Sequence, residues 1–280
     1  MGRIEDGFNT LKQQGKKGII PFVTAGDPDL ATTEQLLIQL SQSGATLIEL
    51  GVPFSDPMAD GPVIQRASER ALKHGFGLQE LLDTAARARK RIDTPIILFS
   101  YYNPLLQFGL NRVAQAVKDA GLDGVLVTDL TPEESSEFEA ELHARGLDMI
   151  FLIAPTSTDE RLKLVAERAS GFIYAVSRAG VTGTRNTVST EAERLVNRMR
   201  PFSSLPIAVG FGISTAEQVA DVHRYADAVV VGSAIVAEME RLAGSPDLVE
   251  RIGKFGQALN QSKKLDLGNP GNPVKVRFDI

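Results

Sequence analysis

Short apolar segments rich in β-branched residues recur along the chain of 280 residues and alternate with stretches of mixed polarity. Short buried runs of this kind are typical of parallel strands that are covered on both faces. The pattern predicts eight strands, at residues 19–24, 46–50, 95–100, 124–128, 148–153, 171–176, 206–209 and 227–231.

Amphipathic helical patterns fill the segments between these strands. They cover residues 30–42, 78–91, 110–120, 133–144, 160–169 and 215–222. Asp29, Thr131 and Ser214 stand just ahead of three of these patterns, as helix N-cap residues do. A further helical pattern at residues 4–14 precedes the first strand, where we expect it to close the bottom of a barrel.

The order of elements, strand then helix repeated eight times, predicts an α/β fold, a (β/α)8 TIM barrel with an extra N-terminal helix. The alternative is an open doubly wound sheet. Its dinucleotide-binding form needs a glycine-rich turn after the first strand, and residues 24–28 (TAGDP) lack that spacing. We therefore expect a single catalytic barrel domain over residues 1–264, followed by a flexible C-terminal tail at residues 265–280.

Two of the predicted connections are longer than the rest. One follows strand 2 and covers residues 51–61, ahead of a helical pattern at residues 62–73. The other follows strand 6 and covers residues 177–189. Both lie at the carboxyl ends of strands, where barrel enzymes build their active sites, so both loops are candidates for lids.

Charge and composition narrow the class of protein. The formal net charge of −5, without long charged runs, argues against a nucleic-acid-binding face. Cysteine is absent, which excludes a disulfide framework and a thiolate metal site. The N-terminus has no apolar signal segment and no apolar run is long enough to span a bilayer. We expect a cytoplasmic protein, with an organelle reached after processing as the alternative.

Glu49 is the first candidate for chemistry, because it interrupts the apolar run of the second predicted strand. A charged residue in a buried strand is paired or functional. Burial would raise its pKa and let the carboxyl group hold a proton near neutrality, as a general acid or base must. A salt-bridged structural glutamate is an equally good interpretation of the position alone.

Asp60 is the second candidate and lies in the long loop after strand 2. Because Gly61 and Pro62 follow it, Asp60 also fits a helix N-cap, and for this residue alone the cap is the stronger interpretation. The functional interpretation gains from Glu49, since two carboxylates at one barrel mouth can divide the proton transfers between them.

Glycines in the second half of the chain predict a phosphate site. Gly212 follows strand 7, and Gly232 with Ser233 follows strand 8 and precedes a helical pattern. Backbone N–H groups and a helix N-terminus at this place form the usual phosphate cup of barrel enzymes. Gly183, in the long loop after strand 6, is a further candidate for this cup.

The sequence shows no residues placed for metal binding or for Schiff-base chemistry. His74, His143 and His223 are not spaced for a shared metal site, and no predicted strand ends in lysine. What remains is acid–base chemistry on a phosphorylated substrate, without a metal. Aromatic residues near strand ends fit a flat apolar substrate ring; they are Phe22, Tyr101, Tyr174 and Phe211.

Five segments together resemble the α subunits of tryptophan synthase over about residues 1–260. The second of them is long and specific, and the others gain weight from their order. They are residues 21–28 (PFVTAGDP), 49–62 (ELGVPFSDPMADGP), 177–183 (SRAGVTG), 210–214 (GFGIS) and 232–236 (GSAIV).

The resemblance implies retro-aldol cleavage of indole-3-glycerol phosphate to indole and glyceraldehyde 3-phosphate. It implies that Glu49 is the acid–base group and that Asp60 accepts the indole N–H. The implied phosphate ligands are Gly183, Gly212, Gly232 and Ser233. The implied indole pocket is Phe22, Ile64, Tyr101, Tyr174 and Phe211, with Thr182 contacting the loop of Asp60. Phe99 and Thr128 depart from the smaller or more apolar residues usual in this family.

The resemblance also implies a partner. Such α subunits hold no cofactor and pass indole to a pyridoxal-phosphate-dependent β subunit, usually within an αββα heterotetramer. An isolated chain is then expected to be a poor lyase. The alternatives are a stand-alone indole-3-glycerol-phosphate lyase, a sugar-phosphate isomerase or epimerase, and a catalytically silent paralogue that regulates its partner.

Overall fold

The computed structural model describes residues 2–177, 187–210 and 212–261. Parallel strands form a closed barrel in which each strand pairs with its neighbour in the chain and the last pairs with the first. The predicted (β/α)8 barrel is therefore confirmed. The strands are β1 (Gly18–Thr24), β2 (Ile48–Gly51), β3 (Ile96–Ser100), β4 (Gly124–Val127), β5 (Asp148–Ile153), β6 (Ile173–Val176), β7 (Ile207–Gly210) and β8 (Ala228–Val231).

Helices surround the barrel and follow the strands in alternation. They are α1 (Arg3–Gln13), α2 (Leu30–Gln42), α3 (Pro62–Leu72), α4 (Leu78–Arg89), α5 (Tyr102–Phe108), α6 (Leu110–Asp119), α7 (Ser136–His143), α8 (Asp159–Arg168), α9 (Thr187–Met199), α10 (Ala216–Val222), α11 (Ser233–Arg241) and α12 (Leu248–Gln261). No helix in the described ranges combines the length and the apolar character that crossing a membrane requires.

The strands bury both of their faces, which explains their nearly continuous apolar sequences. Along β1, Ile19 and Val23 pack beneath the helices, whereas Ile20 and Phe22 point into the barrel interior. This alternation is the two-residue period of a strand, with one apolar layer on each side. Residues of the inner layer that lie near the carboxyl ends of the strands therefore face the barrel mouth.

The helix α1 closes the bottom of the barrel, as the sequence predicts. Its Ile4 and Phe8 are buried within the inner apolar cluster. The ring of Phe8 lies 6.0 Å from the ring of Phe172, just before β6. A barrel closed in this way is open only at the end where the strands finish.

Polar side chains complete the hydrogen bonding at the bottom of the barrel. Each odd-numbered strand donates an amide at its start to a side chain that stands shortly before the next strand in the chain. A buried amide left without such an acceptor would be costly. The pairs are Ile19 N–H to Thr46 Oγ1, Ile96 N–H to Asp123 Oδ2, Met149 N–H to Ser170 Oγ and Ile207 N–H to Asp227 Oδ2.

Several boundaries differ from the sequence prediction. β2 begins at Ile48 and β6 at Ile173, each two residues later than predicted. Helix α7 begins at Ser136 rather than at residue 133, and the N-cap of α10 is Thr215 rather than Ser214. Asp29 is confirmed as an N-cap, since its side chain accepts the N–H of Thr32.

Three helices, α5, α9 and α12, have no counterpart among the predicted helical patterns. Helix α5 has seven residues and ends at Gly109, whose φ of 97° breaks the helical path before α6. Helix α12 packs on α2, outside the eight strand–helix units. The predicted tail at residues 265–280 lies outside the described residues.

Candidate active site

Two aromatic rings cross the mouth of the barrel by lying over glycines of the neighbouring strand. The ring of Phe22 in β1 covers Gly51 in β2, where a β-carbon would stand 2.5 Å from the ring. The hydroxyl end of Tyr174 in β6 covers Gly210 in β7, where a β-carbon would overlap it. Only glycine at these two positions leaves room for the rings, so the residue type at each strand end is set by the ring that lies over it.

Glu49 lies in β2 with only 1% of its surface exposed. Its Oε1 has no hydrogen-bond partner among the described residues, and no ion pair within them involves its carboxylate. The salt-bridged structural glutamate that position alone allowed is therefore not what the described residues form. Burial raises the pKa of Glu49 well above its ordinary value. The surroundings of this carboxyl group therefore favour its protonated form.

Asp60 lies half-buried in the loop between β2 and α3. The N-cap of α3 is Gly61, with no side-chain capping hydrogen bond, so the interpretation of Asp60 as a helix cap is wrong. Burial raises the pKa of Asp60 to about 6, and a hydrogen bond with Tyr101 opposes that rise. Asp60 is therefore mostly ionised at neutral pH but close to its titration range.

Tyr101 fixes the loop of Asp60 to the end of β3. Its hydroxyl oxygen accepts the N–H of Ala59 at 2.9 Å, and its ring lies 5.1 Å from the ring of Phe54 in the same loop. Burial and then the charge of Asp60 raise the pKa of Tyr101. The phenol thus stays protonated and can donate to the Asp60 carboxylate while accepting from Ala59.

Tyr174 connects the two carboxyl groups electrostatically. It is buried, and burial raises its pKa well above the ordinary value, followed by the charges of Glu49 and Asp60. Both acids therefore act on the same phenol from different elements, β2 and the loop beyond it. Glu49 and Asp60 both lie near enough to Tyr174 to influence its pKa.

Three residues predicted for an indole pocket, Phe22, Ile64 and Tyr174, belong to or pack against the inner apolar cluster of the barrel. Phe22 meets Phe99 edge to face, with ring centroids 5.2 Å apart. Ile64, in the first turn of α3, packs half-buried against the same inner cluster, which also includes Tyr174. Phe99 departs from the smaller or more apolar residue usual at this position in the resembled family. Its ring thus enlarges the apolar wall behind Phe22. Phe211 and Thr182 lie outside the described residues.

The predicted phosphate residues lie at the ends of β7 and β8. Gly232 is the N-cap of α11 and Ser233 is its first residue, and no side chain caps this helix end. Gly232 also stands beside Phe22, at the ordinary contact distance of 3.5 Å for an added β-carbon. Gly212 has a φ of 75°, a conformation that favours glycine. Gly183 lies outside the described residues.

One contact of the site has no sequence signal. Gln65 Nε2 donates to the backbone oxygen of Asp60 at 2.9 Å and so joins the loop to α3. A glutamine in the first turn of a helix is common, and only the folded loop shows what it holds. The described residues contain no group of three or more His, Asp or Glu side chains arranged to bind a metal ion.

The chain is similar to known proteins along nearly its whole length. Residues 8–264 match the family model described as tryptophan synthase alpha chain. The tryptophan synthase alpha chain of Citrifermentans bemidjiense is 50% identical over 261 residues, 93% of this chain and 97% of the relative. That of Burkholderia thailandensis is 51% identical over 268 residues, 94% of this chain and 99% of the relative.

Solved structures agree with this assignment. The tryptophan synthase subunit alpha of Legionella pneumophila superposes with a TM-score of 0.87 at 39% identity, covering 94% of this chain and 98% of that one. A chain from the tryptophan synthase a2b2 complex of Pyrococcus furiosus superposes with a TM-score of 0.80 at 39% identity, covering 86% of this chain and 97% of that one.

The fold and the family match together define a (β/α)8-barrel enzyme of the carbon–carbon lyase class. The chain belongs to the tryptophan synthase alpha chain family, whose members cleave indole-3-glycerol phosphate in tryptophan biosynthesis.

Proposed function

We propose that Glu49 and Asp60 carry out the cleavage of indole-3-glycerol phosphate as a metal-free acid–base pair. The observation that carries this proposal is the buried Glu49 carboxyl, whose Oε1 has no partner among the described residues. An unpaired buried carboxyl group is costly and is retained where it serves a reaction. Asp60, acting on the same Tyr174, supplies the second group.

Glu49 moves the protons of the retro-aldol step. The π electrons between indole C2 and C3 form a new C–H bond at C3, which leaves positive charge on the ring nitrogen; the bond from C3 to the side-chain carbon then breaks, and its electron pair restores the aromatic ring. Protonated Glu49 donates the proton to C3. The hydroxyl on the side-chain carbon then loses its proton to the Glu49 carboxylate as the aldehyde forms, so the group ends as it began. A raised pKa keeps the starting form protonated.

Asp60 stabilises the charge that this protonation creates. When C3 gains a proton, positive charge develops on the ring nitrogen, and an ionised carboxylate near the N–H lowers the energy of that state. The pKa of about 6 leaves Asp60 ionised at neutral pH. Its hydrogen bond with Tyr101 holds the carboxylate in place at the edge of the mouth.

Substrate binding supplies orientation. Phe22, Ile64, Tyr101 and Tyr174, together with Phe211, are proposed to surround the indole ring. Gly212, Gly232 and Ser233, together with Gly183, are proposed to hold the phosphate at the N-terminus of α11. Holding the substrate at both ends fixes the reacting carbon between the carboxyl groups, and general acid–base catalysis alone gives only about 10²–10⁴-fold.

The assembly follows from the family. We propose that the chain needs no cofactor of its own, acts in the cytoplasm and pairs with a β subunit that holds pyridoxal phosphate, in an αββα heterotetramer. The structure from Pyrococcus furiosus, described as an a2b2 complex, supports such a pairing.

Indole release from indole-3-glycerol phosphate by the pure chain tests the proposal. Glu49→Gln keeps the shape of the side chain but cannot exchange a proton, so we expect indole release to fall at least ~100-fold. Glu141→Gln, at an ion pair on α7 far from the mouth, is the matched control and should stay within about twofold of the original chain, since surface pairs contribute little. Retained activity in Glu49→Gln would remove Glu49 from the mechanism.

A further inference from the structure

Arg70 connects three elements around the barrel mouth through one guanidinium group. Its Nε and Nη2 donate to the two carboxylate oxygens of Asp27, each at 2.8 Å, and its Nη1 donates to Glu240 at 2.8 Å. Arg70 belongs to α3, Asp27 lies in the connection after β1, and Glu240 lies near the end of α11. Arg66, one turn earlier in α3, donates two further hydrogen bonds to Glu240.

The Asp27 side of this network is nearly inaccessible to water. The Asp27 side chain is 4% exposed, against 27% for Arg70 and 33% for Glu240. A buried carboxylate needs a paired cation with good geometry, and two parallel bonds from one guanidinium supply it. The hydrogen bond with Asp27 is the main cause that raises the pKa of Arg70. The tightest link of the network is therefore the one between α3 and the β1 connection.

Helix α3 packs on the barrel through small buried side chains and through the half-buried Val63 and Ile64. Its buried residues are Ala67, Ser68 and Ala71, whose small side chains bury little apolar surface. Such a surface lets a helix slide or tilt unless directed bonds hold it. The guanidinium of Arg70 provides these bonds both to the connection after β1 and to α11, and Arg66 adds bonds to α11.

The position of α3 affects the position of the Asp60 backbone through hydrogen bonds. Gln65, in the first turn of α3, donates to the backbone oxygen of Asp60, and Gln65 N–H donates to the backbone oxygen of Gly61. A shift of α3 thus moves the Asp60 backbone against Tyr101, which is fixed at the end of β3. Asp60 can keep its contacts with both Gln65 and Tyr101 only while α3 stays in place.

We propose that Arg70 is a positioning residue for the lyase reaction, which holds α3 between the β1 connection and α11 and thereby places Asp60 at the mouth. This inference rests on the proposed function, because Arg70 acts through Asp60. Arg70 does not contact the proposed substrate groups itself.

Arg70→Lys tests the inference while keeping the positive charge beside Asp27. A lysine ammonium lacks the planar fork and cannot preserve the two parallel bonds to Asp27 together with the bond to Glu240. We expect kcat/KM for indole-3-glycerol phosphate to fall at least tenfold, mainly through kcat. We also expect the acid limb of the pH profile, which follows Asp60, to move, because a displaced carboxylate changes both its burial, which raises its pKa, and its hydrogen bond with Tyr101, which lowers it. Glu49, Tyr101 and Tyr174 face Asp60 and remain unchanged.

Two further variants keep the test decisive. Glu240→Gln leaves the pair of Arg70 and Asp27 intact and should give a smaller loss with the same shift; it decides the matter if Arg70→Lys does not fold. Arg87→Lys makes the same substitution at the ion pair with Glu34, between α4 and α2, and should leave kcat/KM within twofold. Thermal unfolding of each variant shows how much folded protein is assayed.

The outcomes separate the inference from the proposed function. If Arg70→Lys keeps kcat/KM within twofold of the original chain while Glu49→Gln is inactive, the positioning role is wrong and the mechanism stands. A loss of activity with an unmoved acid limb indicates a merely structural residue and also overturns the inference. If Glu49→Gln stays active, the proposed function itself fails.

Discussion

At the scale of single residues, the two carboxyl groups differ in what surrounds them. Glu49 is enclosed by a strand and its neighbours, and burial is what raises its pKa. Asp60 is held by a loop, and the Tyr101 hydroxyl counteracts the effect of burial on its pKa. Environment thus suits the same functional group to the two roles proposed for it, an acid at Glu49 and an ionised acceptor at Asp60.

The pH dependence of the reaction should report this difference. We expect kcat/KM to rise with pH through about 6, because Asp60 must lose its proton to accept the indole N–H. The hydrogen bond from Tyr101 lowers the pKa of Asp60, so Tyr101→Phe should raise that pKa and move the acid limb to higher pH. A pH–rate profile of both proteins measures the position of the limb independently of absolute activity. A limb that moves to lower pH in Tyr101→Phe would contradict this account.

The sequence predicts some of the site residues and misses others for a physical reason. Glu49 stands out because a charge interrupts an apolar strand, and Gly232 because it joins a strand to a helix. The pairing of Arg70 with Asp27 spans 43 positions, and neither residue carries a local signal. Contacts between distant segments exist only once the barrel has closed.

At the scale of elements, the ends of the strands are adapted to side chains from their neighbours. Gly51 ends β2 beneath the ring of Phe22, and its backbone oxygen accepts the N–H of Ala25 beyond β1. The same strand carries Glu49 two residues earlier and leads into the loop of Asp60. Crowding at Gly51 would therefore disturb the pocket wall and the loop together.

Gly51→Ala should destabilise the protein, because the added β-carbon would stand 2.5 Å from the Phe22 ring. Forcing an extra methyl group into a packed site costs about 1–3 kcal/mol. Gly256→Ala in α12 is the control, since its β-carbon would meet Leu40 at an ordinary 3.6 Å and alanine favours a helix interior by about 1 kcal/mol. Denaturant unfolding should rank Gly256→Ala at or above the original chain and Gly51→Ala below it. Equal midpoints for the two variants would contradict the crowding at Gly51.

The alternation of strands and helices is predictable because both faces of every strand are buried, so apolar runs mark the strands directly. The sequence pattern does not predict helix α5, because seven residues are too few to display a helical period. It does not predict the N-cap of α3 either, because Asp60, the better capping residue, is drawn to Tyr101, and the cap falls on Gly61. The contact of Asp60 with Tyr101 here outweighs the local preference of aspartate for the N-cap position.

At the scale of the whole molecule, the two ends of the barrel have different tasks. The bottom is filled by α1 and bonded through Thr46, Asp123, Ser170 and Asp227, which satisfy strand amides. The top carries the carboxyl groups of Glu49 and Asp60, the rings of Phe22 and Tyr174, and the long loop at residues 52–61. The Glu49 Oε1, which has no hydrogen-bond partner among the described residues, thus lies at the end where a substrate can reach it.

The loop of Asp60 also presents apolar surface outward. Met58, two residues before Asp60, is 86% exposed, and Leu106 on α5, beyond Tyr101, is 49% exposed. Met58 directly precedes Ala59, whose N–H donates to Tyr101, and Leu106 belongs to the helix that follows Tyr101. A partner that covers them would hold the loop in the position in which Asp60 reaches the substrate.

The rate of indole release should therefore depend on a β subunit. A partner that binds only the ordered loop shifts its population toward the active arrangement, and a tenfold shift needs only about 1.4 kcal/mol of preferential binding. We expect kcat for indole release to rise at least tenfold as a β subunit is added to the pure chain. Met58→Ser should weaken this activation and leave the rate of the isolated chain unchanged, since Met58 does not face the mouth. Equal rates with and without the β subunit would instead favour a lyase that acts alone, with its loop already ordered by Tyr101 and α3.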